Sequence, residues 1–172
     1  MTLVTPSIKD LFEAADTLVV ARVVDSESLG DCGTRYTATL LMTFKGKPAT
    51  ADKEAIKFGR WNTLETGTDY LLFLSYVADP RAFLERIPAD ERAKHPEQEI
   101  LEALACHGLV PGYEFDPSIV GYFDHQDFVL PTTAGYLGAP NDLPQPVTRI
   151  DILEYVTTRS GLFAYLERLS RP

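Results

Sequence analysis

A chain of 172 residues, 45% hydrophobic and 24% charged, is long enough to bury a core of its own and ordinary in composition, which excludes a fibrous repeat and intrinsic disorder. Its formal net charge of -9 is unevenly spread: residues 108–155 hold 7 acids, with Arg149 as their only lysine or arginine. Such a field repels phosphate backbones and anionic lipid and attracts cationic proteins, so neither nucleic acid nor a membrane is an expected partner.

Ser7-Ile8-Lys9-Asp10 has the spacing of a capping box, and Ile8, Leu11, Phe12 and Ala15 fall on one helical face, which predicts a short helix over 8–15. Thr17 to Asp25 is dense in β-branched residues and predicts a buried first strand. From Tyr36 to Phe44 one parity reads Tyr, Ala, Leu, Met, Phe and the other Thr, Thr, Leu, Thr, the period-two signature of a half-buried strand. Lys45-Gly46-Lys47-Pro48 ends it. A shorter strand covers Ala55 to Gly59, and Asp69 to Val77 makes a fourth with Tyr70, Leu72, Leu74 and Tyr76 on one side. Four strands with short links predict a meander or barrel.

After Asp79-Pro80 the pattern turns helical, with Phe83, Leu84, Ile100, Leu101 and Leu104 among charges and with Pro88 and Pro96 as breaks, so residues 80–107 read as a helical insertion. Ile119 to Phe123 and Asp127 to Leu130 read as a hairpin across Asp124-His125-Gln126, supplying the closing strands of a barrel. Pro131 to Pro146 reads as an ordered surface loop. Thr148 to Asp151 repeats the capping-box spacing, and the apolar residues from Ile152 to Leu169, broken near Ser160-Gly161, predict one or two helices over 149–170.

Three motifs stand in a telling order: Ala15-Asp16-Thr17-Leu18-Val19-Val20-Ala21 opening the first strand, Phe44-Lys45-Gly46-Lys47 closing the second, and Gly67-Thr68-Asp69-Tyr70-Leu71-Leu72-Phe73-Leu74. Together they span residues 15–74 and resemble the netrin-like module of the tissue inhibitors of metalloproteinases and their bacterial relatives. The resemblance implies an OB-type barrel and a role in protein binding. The inhibitors chelate the protease zinc through an N-terminal cysteine, whereas here Met1-Thr2-Leu3 occupies the start and no cysteine precedes Cys32. What carries over is therefore binding, not zinc chelation. The fold expected is one domain, mainly β with added helices (α+β): an OB-like, five- or six-stranded antiparallel barrel with strands over 17–77 and 118–130, the helical insertion, and a C-terminal helix.

Cys106 and His107 are adjacent, and Cys32 and His95 could join them, but zinc sites pair their ligands at short repeated spacings that are missing here. No metal or other cofactor is expected. A single Cys32–Cys106 bridge is left open. Asp124-His125-Gln126-Asp127 places a candidate general base between two carboxylates, yet no nucleophile motif accompanies it, and a solvated hairpin turn has the same composition. The second half is crowded with Tyr113, Phe115, Tyr122, Phe123, Tyr136 and Tyr165, which read as core and loop packing rather than as base-stacking platforms. Trp61, beside Arg60, is the candidate interface anchor. Lys45, Lys47, Lys53, Lys57 and Arg60 form a basic cluster that reads as solubilising charge at a sheet edge.

The function expected is a noncatalytic, inhibitor-like protein-binding domain, with Trp61, Asp124, His125 and Asp127 as binding residues and a cationic protein as the partner. Two alternatives stand beside it: an immunity-type protein that neutralises a cationic toxin, and a small hydrolase using His125 with Asp124 and Asp127. Met1 to Pro6 has neither the basic start nor the apolar run of a signal peptide, so the chain reads as cytoplasmic, and as periplasmic or secreted if a leader has been removed.

Overall fold

The computed structural model describes residues 6–28, 34–46, 55–60, 64–77, 87–100, 112–115, 120–131, 139–145, 147–151 and 154–171. Helix α1 (Ile8–Ala14) begins where the capping-box spacing places it: the Asp10 amide donates to the Ser7 hydroxyl at 3.0 Å, and Ile8, Leu11 and Phe12 are its buried residues. Lys45 completes the other end, its ammonium donating to the Phe12 and Glu13 carbonyls at 2.6 and 3.2 Å. Those carbonyls have no partner within the helix, so a cation there satisfies both hydrogen bonding and the helix dipole.

The described chain is mainly β. Its strands are β1 (Thr17–Ser28), β2 (Thr34–Lys45), β3 (Ala55–Arg60), β4 (Asp69–Val77), β5 (Gly112–Phe115), β6 (Gly121–Asp124), β7 (Asp127–Pro131), β8 (Thr148–Asp151) and β9 (Glu154–Thr158). Two further helices are α2 (Ala89–Arg92) and α3 (Arg159–Ser170). The strands belong to one sheet in the order β1-β2-β3-β5-β4-β6-β7-β9-β8, and β1 also pairs with β4. All the pairings are antiparallel except β3 with β5, which is parallel through Phe58↔Tyr113 and Gly59↔Glu114.

The double pairing of β1 explains its composition. Val19, Ala21 and Val23 join Tyr36, Ala38, Ile56, Phe58, Leu72, Leu74, Tyr113 and Phe115 in one buried cluster supplied by β1 to β5. Leu18 and Val20, on the other face, join Phe73, Phe128, Leu130, Leu162 and Leu166 in a second cluster beneath α1 and α3. A strand buried on both faces gains nothing from alternation, so Leu18 to Ala21 is apolar at every position.

Several expectations need correction. The sheet has nine described strands, more than the expected five- or six-stranded barrel would use, and it is not wholly antiparallel. The strand that links β3 to β4 is β5, whereas the 121–131 hairpin pairs with the first half of β4 through Asp69↔Phe123 and Tyr70↔Tyr122. Residues 148–151 and 154–158 are the strands β8 and β9 rather than the start of a C-terminal helix. Val156, Thr157 and Thr158 are β-branched, and the edge of β7 offers them five paired positions from Asp127↔Thr158 to Pro131↔Glu154. The helix starts only at Arg159, where Thr158 is the N-cap and its hydroxyl accepts the Gly161 amide at 3.1 Å.

The expected surface loop is partly core: Leu143 is 5% exposed and packs in the helix-side cluster. In the helical insertion, Pro88 precedes α2 and Pro96 precedes a further helical turn at 97–100, while residues 80–86 and 101–107 lie outside the described set. No helix among the described residues is long and apolar enough to cross a membrane.

Gly46 and Gly121 are each required by a close approach. Gly46 has φ +75°, and a Cβ there would meet the Asp16 carbonyl. A Cβ at Gly121 would run into the Phe128 ring, which lies across β6 and is 1% exposed. Gly121→Ala should therefore force that ring off its rotamer and cost about 1–3 kcal/mol, seen as a lower urea midpoint at unchanged slope. A midpoint equal to that of the parent would show that the ring has room to move.

Candidate binding face

Residues directly opposite in a ladder share a face, as do residues two apart along a strand. Tyr70 is opposite Tyr122, Tyr122 opposite Val129, and Val129 opposite Val156. Asp124 is opposite Asp127, and Glu154 is opposite Pro131. By parity Tyr70, Tyr122, Asp124, Asp127 and Glu154 all lie on one face of the β4-β6-β7-β9 sheet. No lysine or arginine occupies a position on that face in these four strands.

At the edge of this face Glu65, Thr68, Tyr70 and Tyr122 line a cleft of about 270 Å³. The segment before β4 is pinned by two buried phenols. Tyr36 accepts the Leu64 amide at 3.0 Å, and Tyr70 accepts the Glu65 amide at 2.8 Å. Burial raises the Tyr70 phenol above its ordinary range. Burial raises Tyr122 as well, and the charges of Glu154, Asp124 and Glu65 push it the same way. Three separate segments thus bring negative charge to bear on one phenol. A cation placed there would be attracted by all three carboxylates and by the ring faces.

The turn residues singled out from sequence occupy the outer end of this face. His125 has φ +54°, a conformation that a two-residue hairpin turn demands and that histidine tolerates better than β-branched residues do. Its Nδ1 is 2.7 Å from Asp124 Oδ1, with the two side chains 93% and 65% exposed. This resembles the base-and-orienter half of a hydrolytic site, but it opens straight to solvent, and among the described residues no hydroxyl or thiol bonds to the imidazole. Asp127 stands across the ladder from Asp124, so the turn adds two carboxylates to the face.

Trp61 lies outside the described residues, as do Cys32, Cys106, His107, Lys47 and Lys53. His95 is 3.5 Å from Glu99 on the exposed insertion. Within the basic cluster Lys45 is committed to the end of α1 and Lys57 is exposed. Glu65, Tyr70 and Glu154 were not singled out from sequence as site residues. The parity of Tyr122 and Asp124 was readable, but that Glu65 and Glu154 join them depends on the β4–β6 and β7–β9 pairings. No protein-family model matches the chain, and no curated protein does either.

Proposed function

We propose that the chain is a noncatalytic, inhibitor-like binding domain that holds a cationic protein on the acidic face of β4, β6, β7 and β9. The observation that carries this reading is that Asp124, Asp127 and Glu154 share one face of these strands with Tyr122, beside the cleft lined by Glu65, and that the four strands hold no lysine or arginine. We also propose that β1 to β5 form an OB-like barrel. Its support is the succession of pairings β1–β2, β2–β3, β3–β5, β5–β4 and β4–β1, with the parallel β3–β5 step, around one shared apolar cluster. The likeness of residues 15–74 to netrin-like modules agrees with both parts. An immunity-type role, in which the cation is a basic toxin, is a special case of the same chemistry.

Exposed charges act mainly on the encounter rate and are screened beyond about 8 Å at physiological salt. Capture of a partner by the whole chain, followed by association kinetics over a salt series, tests the proposal. The on-rate should fall markedly as salt rises, and Asp124→Asn with Asp127→Asn should lower the low-salt rate by about three- to tenfold. Lys57→Gln should leave it unchanged. A salt-insensitive rate, or a partner whose binding depends on Lys57 and not on Asp124, would remove the acidic face from the account.

A further inference from the structure

The two faces of β6 are furnished differently. On the helix-side face the chain's own arginines cover the acids and rings. Arg22 donates to both Asp69 oxygens at 2.7 and 3.2 Å, and the Arg159 guanidinium carbon sits 5.4 Å from the Phe123 ring and 5.1 Å from the Phe163 ring. The opposite face offers the same ingredients, carboxylates beside aromatic rings, at Glu65, Tyr70, Tyr122, Asp124 and Glu154, yet its strands place no cation there. The Tyr122 hydroxyl also makes no hydrogen bond among the described residues.

We infer that the cleft between Glu65 and Tyr122 is a socket for an arginine side chain of the partner, an inference that rests on the acidic-face reading. The cleft, at about 270 Å³, lies at the small end of ligand sites, which are roughly 300–1,000 Å³, and has room for one inserted side chain. Tyr122, half-buried and the direct ladder partner of the buried Tyr70, offers the ring on which a flat cation can stack. A guanidinium is planar, stacks on such a ring and donates in a fork, so it can reach the Tyr122 oxygen and the Glu65 carboxylate together. An ammonium is a strongly hydrated point charge and gains less from the ring.

Titration of the isotopically labelled full chain with N-acetylarginine amide, N-acetyllysine amide and N-acetylcitrulline amide at fixed ionic strength tests the inference, read on the amides of Glu65, Thr68, Tyr70 and Tyr122. The arginine compound should give saturable shifts there, with the lysine compound binding about fivefold more weakly and the neutral citrulline compound leaving the amides still. Glu65→Gln, at an exposed position that carries no core packing, should weaken the arginine compound by about three- to tenfold, and Tyr122→Phe by a smaller factor. Equal binding of the lysine and arginine amides, shifts indifferent to Glu65→Gln, or no saturable shift would each overturn the socket. None of those results alters the salt dependence of partner association, on which the broader reading stands or falls separately.

Discussion

Phe58→Ala should lower the stability of the protein by about 3–5 kcal/mol, the range found when a buried aromatic is cut back to a methyl group. Phe58 is 1% exposed and lies at the centre of the cluster made by β1 to β5. Its ring is stacked on Tyr36 at 5.5 Å and meets Phe115 edge-on at 5.7 Å, so the substitution removes two aromatic contacts as well as the buried area. The neighbours are held by ladders on both sides, Tyr36↔Phe58 in β2–β3 and Phe58↔Tyr113 in β3–β5, which limits how far the cavity can collapse. Urea unfolding should show a large drop in midpoint, and Phe58→Leu should cost about 1.5 kcal/mol or less because most of the volume is retained. A loss below about 1 kcal/mol for Phe58→Ala would mean that the cluster repacks freely. The same change bears on the cleft. Tyr36 rests on Phe58 and its hydroxyl holds the Leu64 amide, one residue before Glu65, so Phe58→Ala should also loosen the acidic rim.

The sequence makes the first four strands legible because each has a hydrophobic pattern longer than a turn of helix and ends at a recognisable break. Tyr36 to Thr39 alternates because β2 there has one face toward the core and one toward solvent, whereas Leu41, Met42 and Thr43 are all exposed and Phe44 packs in the helix-side cluster. β5 is a different case. Gly112 to Phe115 is four residues long, too short for any period, and it is a strand because β3 and β4 each leave an edge for it. β8 and β9 depart from the helix expected there for a related reason. The spacing Thr148 to Asp151 satisfies a local helix-start rule, but the unpaired edge of β7 makes an extended conformation more favourable, and the N-cap falls ten residues later at Thr158. The binding face divides in the same way. Asp124 and Asp127 are legible through the hairpin that they close, whereas Glu65 and Glu154 reach Tyr122 only through non-local pairings that no window of sequence contains.

Asp142→Ala should be the most damaging substitution of a polar residue outside the cores, at about 2–4 kcal/mol, because one carboxylate ties three parts of the chain together. Its Oδ1 accepts the Ile8 amide at 2.7 Å and its Oδ2 accepts the Lys9 amide at 2.9 Å, so it caps the first turn of α1 from 134 residues away. The same Oδ2 accepts the Tyr165 hydroxyl of α3 at 2.7 Å, and the neighbouring Leu143 is buried in the cluster beneath both helices. Each charge-assisted hydrogen bond contributes about 1.5–3 kcal/mol in a buried setting and less here, where the site is only partly buried. Tyr165→Phe removes one of the three and should cost about 1 kcal/mol, and the double variant should cost less than the sum, because the singles share that bond. High pH supplies a second readout. Burial, then the hydrogen bond and charge of Asp142, push the Tyr165 phenol up to about 12, with Arg168 acting in the opposite direction. A phenol raised in the folded state contributes stability in full below its unfolded value of about 10 and loses that contribution as pH rises through the folded value. Parent and Tyr165→Phe stabilities should therefore differ most near neutrality and converge from about pH 10 upward. Curves that stay parallel through that range would show that the Tyr165 phenol is not raised in the folded state.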